Sequence, residues 1–200
     1  MQEERDRNQS KANDSRSTTR CLAEGGICVA LAIALSYLKI PIGMAFGGFG
    51  GSIDLVMIPL ILYAVRWGWG WGMAAGLVFG TIKYFVGQHA EISWVSIIFD
   101  YSVAYAFVGL AGLLNRQHLG GKLWALPVAA LVGCLGRFFI HYLSGVTVYA
   151  EWVPEEFLGV SNLSPALYSL LYNGTYMLPN TVLAAVLCAA LAAPMQRLKK

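Results

Sequence analysis

Charge is what this sequence has least of. Only 12% of its 200 residues are Asp, Glu, Lys or Arg, against 57% that are hydrophobic. A chain of this size cannot cover a soluble globule with so few charges, which sets aside an ordinary water-soluble domain and makes a membrane protein the first reading. Cysteine is sparse too. Cys21, Cys28, Cys134 and Cys188 show no CxxC spacing and fall in or beside apolar stretches, where a thiol behaves as a small hydrophobe, so neither a disulfide nor a metal site is expected. The sequence also lacks HExxH, GxSxG and a phosphate-cradling GxxxxGKS or GxxxxGKT, and with them the familiar metalloprotease, hydrolase and nucleotidase chemistries. No cofactor is implied, and a net charge of +3 gives no ground for a nucleic-acid partner. No internal repeat is convincing, which argues against a self-contained transporter built from two halves and in favour of a subunit.

What is present is a series of apolar segments. Six can be drawn, at roughly 21–38, 53–66, 70–87, 93–114, 123–148 and 165–193, each near the length needed to cross about 30 Å of hydrocarbon as a helix. The expected fold is all-α, a polytopic membrane protein with six transmembrane helices in one domain over residues 21–200. The opening "MQEERDRNQSKANDSRSTTR", residues 1–20, mixes both charges with small polar residues and is expected to be a disordered cytoplasmic tail. Arg66 and the glycines of "VRWGWGWG" read as a turn between the second and third segments, with Trp67, Trp69 and Trp71 as interfacial anchors. Basic residues sort to one side. The tail, Arg66, Arg116, Lys122 and the terminal "RLKK" fall together, whereas the opposite connections hold only Lys39, so a bacterial cytoplasmic membrane location with both termini inside is expected. The outer connections are longer and richer in aromatic and polar residues than the inner ones, and a ligand is sought there.

Ionisable groups inside spans are costly and usually face the protein interior. Here they are Glu24, Asp54, Lys83, Asp100, Arg137 and His141. Asp100 and His141 each lie about two turns from the outer end of a span, and Arg137 lies one turn deeper on the same face as His141. Tyr168 and Tyr172 share a face of the sixth segment, with Asn173 beside them. A carboxylate, an imidazole, a carboxamide and several aromatic rings at one depth suit the capture of a small, flat, polar or cationic ring compound. Arg137 is expected to tie its helix to a neighbour, Lys83 to snorkel, and Glu24 to pair with the basic tail. Two other readings remain at this stage, an intramembrane enzyme with His141 and Asp100 as a general-base pair and a stand-alone secondary transporter using Lys83 or Asp54. In the first segment Gly26, Ala30 and Ala34 recur every fourth residue, a stripe on which another helix could pack closely, from within this chain or from a partner.

At "FDYSVAYAFVGLAGLL", "RFFIHYLSGVTVY" and "ALYSLLYNGTYMLPN" the sequence resembles the substrate-binding S components of energy-coupling factor (ECF) vitamin transporters, and among them the thiamine-specific ones. The resemblance implies six helices, a vitamin site near the outer face lidded by the loop between the first two helices, no ATPase of its own, and association with a transmembrane coupling subunit and two cytoplasmic ATPases. It implies substrate-binding roles for Asp100, Tyr101, His141, Tyr149, Tyr168, Asn173 and His89, and partner docking for Gly26, Ala30 and Ala34. Asp100 stands where the family usually has Glu and Tyr149 where it has Trp. The aromatic of the first outer loop is absent from its aligned position, with Phe49 next to it. A related compound, such as a thiamine precursor or another vitamin, is the alternative ligand.

Overall fold

The computed structural model describes residues 2–45, 50–87, 93–115 and 122–197. Six principal helices form the bundle: α1 (Gln2–Leu35), α2 (Met57–Trp67), α3 (Trp69–Val86), α4 (Trp94–Leu114), α5 (Ala125–Thr147) and α6 (Pro165–Arg197). A single turn (Ile42–Ala45) precedes α2, and a two-stranded hairpin, β1 (Glu156–Phe157) and β2 (Val160–Ser161), lies between α5 and α6. Among the described residues, four stretches are long and apolar enough to cross a bilayer: Arg16–Leu35, Trp94–Leu114, Ala125–Thr147 and Pro165–Pro194.

Residues 2–20, expected as a disordered tail, instead continue α1. They contain no Gly or Pro and are rich in Glu, Arg, Gln and Lys, which cost little in a helix, and Arg20 bonds Glu24 one turn on (Nε to Oε1, 2.9 Å). Farther along, Cys21, Gly25, Val29 and Ala32 form the buried stripe of α1. It packs on α2, where Tyr63 donates to the Cys21 carbonyl (3.1 Å). The close approach depends on Gly25, because a Cβ there would meet the Tyr63 hydroxyl at 2.8 Å.

The second segment is shorter than expected. α2 begins only at Met57, and its 11 residues rise about 16 Å, half the hydrocarbon thickness. The chain just before it is irregular, yet its polar groups are satisfied inside the protein. Asp54 donates its N–H to Asn180 Oδ1 (2.9 Å) and accepts the Val56 N–H on Oδ1 (3.2 Å), and Asn180 Nδ2 donates to the Ser52 carbonyl (2.7 Å). Irregular backbone at membrane depth is tolerated where protein supplies its partners. Asp54, placed at the start of a span by its sequence, holds the turn that leads into α2 through the Val56 N–H.

Gly68 reverses the chain between α2 and α3 in a single residue at φ +94°, a conformation open to glycine. α3 then lies against α4 through facing glycines. A Cβ on Gly76 or Gly80 would strike the carbonyls of Tyr105 and Tyr101, and one on Gly109 or Gly112 would strike the α3 backbone. Such contact gains dispersion and close packing where lipid offers no hydrophobic drive.

α4 is not regular. Ile98–Val103 winds as a π-helix between α-helical turns, and Gly109–Leu114 finishes as a 3₁₀-helix. In α5 the inward stripe starts apolar at Ala129, Ala130, Gly133 and Cys134 and ends polar at Arg137, His141 and Ser144. Along α6 the matching stripe is Tyr168, Tyr172 and Tyr176, then Asn180, Ala184 and Cys188. All four cysteines are free.

Candidate functional site

The polar ends of these stripes enclose a cavity of about 200 Å³. α3 contributes Lys83, α4 Asp100, Tyr101 and Tyr105, and α5 Arg137 and His141. From α6 come Tyr168, Ser169, Tyr172, Asn173 and Tyr176, while Lys39, Pro41 and Gly50–Ser52 close one side and Tyr149 and Trp152 the other. Six of the seven sequence-derived ligand residues therefore line one space. His89 lies outside the described residues, as does Phe49.

The hydrogen bonds fix the state of His141. Arg137 Nε can only donate, and it reaches His141 Nε2 at 3.2 Å, so that nitrogen is the acceptor. The ring proton is thereby assigned to Nδ1, which donates to Asp100 Oδ1 (3.0 Å) and leaves the imidazole neutral and the carboxylate charged. Ser144 Oγ donates to the second Asp100 oxygen (3.1 Å). Each carboxylate oxygen retains a lone pair for a ligand donor or a nearby cation. The π-turn carries Asp100 and Tyr101 to the wall, a use of wide turns often seen at functional sites.

Arg137 does tie α5 to a neighbour, as its position suggested, through Nη2 to the Tyr105 hydroxyl (3.0 Å). Lys83 does not snorkel. It turns inward to the same hydroxyl (2.6 Å) and stands 3.8 Å from Asp54, whose side chain is fully buried. Both cations also lie over the Tyr105 ring, with Arg137 Cζ 4.2 Å and Lys83 Nζ 4.9 Å from its centroid.

Aromatic rings form the opposite wall. Tyr168 and Tyr172 stack at 5.6 Å between centroids, and Phe157 of the hairpin meets Tyr168 edge-on at 5.2 Å. Tyr176 stands edge-on to His141. The Tyr172 hydroxyl accepts the Gly50 N–H (3.1 Å) and donates to the Gly50 carbonyl, pinning the chain between α1 and α2 across the cavity. Asn173 faces the cavity but is already engaged, giving Nδ2 to the Ser169 carbonyl and hydroxyl and accepting from Tyr176 on Oδ1.

Sequence reasoning assigned no ligand role to Tyr105, Tyr176 or Ser144. For the tyrosines a signal existed, since Tyr101 and Tyr105, and Tyr168, Tyr172 and Tyr176, recur every four residues. Ser144 follows His141 by three and carries no comparable mark.

Within α1, away from the cavity, Glu24 gathers Arg20, Arg66 Nη2 (3.0 Å) and Trp67 Nε1 (2.8 Å). Trp67, expected as an interfacial anchor, thus belongs to an ion cluster, whereas Trp69 and Trp71 are exposed. Among the described residues Gly26, Ala30 and Ala34 are exposed, on a face of α1 other than its buried stripe.

Comparisons with known proteins bear on the family and the fold. Residues 22–200 match the family described as thiamine transporter protein (Thia_YuaJ). The thiamine transporter ThiT of Bacillus subtilis (strain 168) is 30% identical over 198 residues, covering 94% of this chain and 97% of that protein. A solved structure of ThiT from Listeria monocytogenes superposes with a TM-score of 0.76 at 24% identity, covering 91% of this chain and 98% of that one, which supports the fold. The family consists of transporters, so the reading of Asp100 and His141 as an enzyme's general-base pair is set aside. A membrane bundle with a binding cavity and a match along nearly its whole length lead to one conclusion: the chain belongs to the thiamine transporter family.

Proposed function

We propose that the protein is the thiamine-capturing S component of an ECF-type importer, binding the vitamin in the cavity between α4, α5 and α6. The observation that carries this reading is the pairing of a charged Asp100, held by His141 and Ser144, with a wall of stacked tyrosines across one enclosed space. A flat heteroaromatic cation finds a carboxylate and ring faces there, which is the complementarity such a ligand needs. His141, Tyr168 and Asn173 orient the pyrimidine, and Tyr101 and Tyr149 complete the walls. His89 remains assigned to the ligand by family resemblance alone.

Delivery requires partners. The exposed Gly26, Ala30 and Ala34 stripe suits a transmembrane coupling subunit, which in turn carries two cytoplasmic ATPases, with both termini of this chain on the cytoplasmic side of the cell membrane. Replacing Gly26 by Ile should abolish co-purification with those subunits while leaving thiamine affinity unchanged.

The deciding experiment titrates the detergent-purified protein with thiamine, following tryptophan fluorescence, because Trp152 lines the cavity. Saturable quenching by thiamine, with weaker responses to its pyrimidine and thiazole halves, is expected. Tighter binding of the pyrimidine half alone would redirect the assignment to a precursor, and no response to any of the three would refute it.

A further inference from the structure

The polar groups that sequence reasoning assigned to the ligand are mostly bonded to one another, whereas two donors deeper in the cavity are not. Arg137 is 5% exposed, and its Nη1 has no hydrogen-bond partner, the only such buried side-chain atom among the described residues. Tyr105 is 1% exposed, and its oxygen already accepts from Lys83 Nζ and Arg137 Nη2. Ammonium and guanidinium groups only donate, so the phenol's own proton must find another acceptor, and none is seen among the described residues. Both residues line the cavity. A buried donor left unpaired is costly, and a ligand that supplies the missing acceptor recovers that cost on binding.

We infer that Arg137 Nη1 and the Tyr105 hydroxyl form an acceptor-reading floor, which selects ligands presenting a hydrogen-bond acceptor at their leading end. A ring nitrogen or a hydroxyl oxygen supplies such an acceptor, and Asp54, 3.8 Å from Lys83, already answers one of the two cations at this depth. The inference rests on the thiamine reading above, since thiamine carries both kinds of atom, the pyrimidine nitrogens and the hydroxyethyl oxygen.

The test compares thiamine with two analogues, one with the pyrimidine ring nitrogens replaced by carbon and one with the hydroxyethyl arm reduced to ethyl, on wild-type protein, Tyr105→Phe and Arg137→Lys. Wild type should bind one analogue at least about 5-fold more weakly than thiamine, which identifies the acceptor. Each variant should lose a similar factor for thiamine and little or nothing further for that analogue. Arg137→Lys keeps the charge and serves if Tyr105→Phe proves unstable, and the wild-type comparison needs no variant. Equal wild-type affinity for all three compounds, or variants that weaken all three by one factor, would overturn the floor while leaving the site in place. Absence of thiamine binding by wild type would instead overturn the underlying reading, and the floor with it.

Discussion

The α3–α4 seam and the α4–α5 interface share a helix and solve the same problem by opposite means. At the seam, Gly72 meets Gly109, Gly112 meets Gly68 and Trp69, and Gly76 and Gly80 meet the Tyr105 and Tyr101 carbonyls, so along this line backbone touches backbone. Across the outer halves of α4 and α5, long polar side chains fill the gap, Arg137 to Tyr105 and His141 and Ser144 to Asp100, whereas Gly133 and Gly136 hold the deeper halves against the Val108 and Phe107 carbonyls. Close packing makes the first interface rigid, while hydrogen bonds hold the second open around a cavity. The contrast shows how a bundle without a strong hydrophobic drive between its helices places a polar site: one side of α4 is locked so that the other can be spared for the ligand.

Four experiments would break or sharpen that comparison. The largest effect is expected from Gly76→Val, whose side chain would collide with the Tyr105 carbonyl. Overpacking of this kind costs about 1–3 kcal/mol or more, and α4 can yield only by displacing Tyr105, so thermal stability in detergent and thiamine affinity should fall together. A variant with wild-type melting would show that the seam is looser than its geometry. His141→Ala should act on the other side alone, weakening thiamine by about 1–3 kcal/mol as Asp100 and Arg137 lose their shared partner, with a smaller change in melting. Unchanged affinity, measured by the same fluorescence titration, would remove His141 from the site.

Tyr172→Phe deletes the hydroxyl that bonds Gly50, at an expected cost of about 1 kcal/mol, seen mainly as faster thiamine release in stopped-flow. Release at the wild-type rate would mean that this contact does not restrain the first outer connection. Smallest is Glu24→Gln, in the part of α1 that packs near Arg66 and Trp67, remote from the cavity. Its partly exposed ion cluster should contribute less than about 1 kcal/mol to stability, and thiamine affinity should not move. A loss of affinity there would show that the two ends of the bundle are coupled.

The sequence carried the site better than the packing. Asp100, His141, Tyr168 and Asn173 were legible because a polar residue inside an apolar run is expensive and must face something. The irregular chain ahead of α2 was less legible. "IDLVMIPLILYAV" carries Asp54 as its one charge, and nothing in that stretch says that Asp54 bonds Asn180, 126 residues away, instead of starting the helix. Arg137 was legible as a tie between helices but not as an open donor, since an orphaned nitrogen is a property of three-dimensional surroundings. Lys83 was misjudged for the same reason: snorkelling is the rule when water is the nearest acceptor, and here the Tyr105 hydroxyl is nearer. The glycine seam left its mark in the spacing of Gly72, Gly76 and Gly80, yet a repeat of small residues does not say which helix it meets.

The wide turn at Ile98–Val103 has a consequence for the phase of everything that follows it. A π-turn closes on the fifth residue instead of the fourth, so Asp100 and Tyr105, five apart, both reach the cavity, where a regular α-helix would point them in clearly different directions. The segment behaves as a one-residue insertion that re-clocks the helix. Deleting one residue of it ahead of the carboxylate, Ile98 or Phe99, would relax the turn to a regular pitch and leave Gly109 and Gly112 in register with α3, but Asp100 and Tyr105, still five apart, would then point about 140° away from each other, giving a well-packed bundle whose cavity is out of phase.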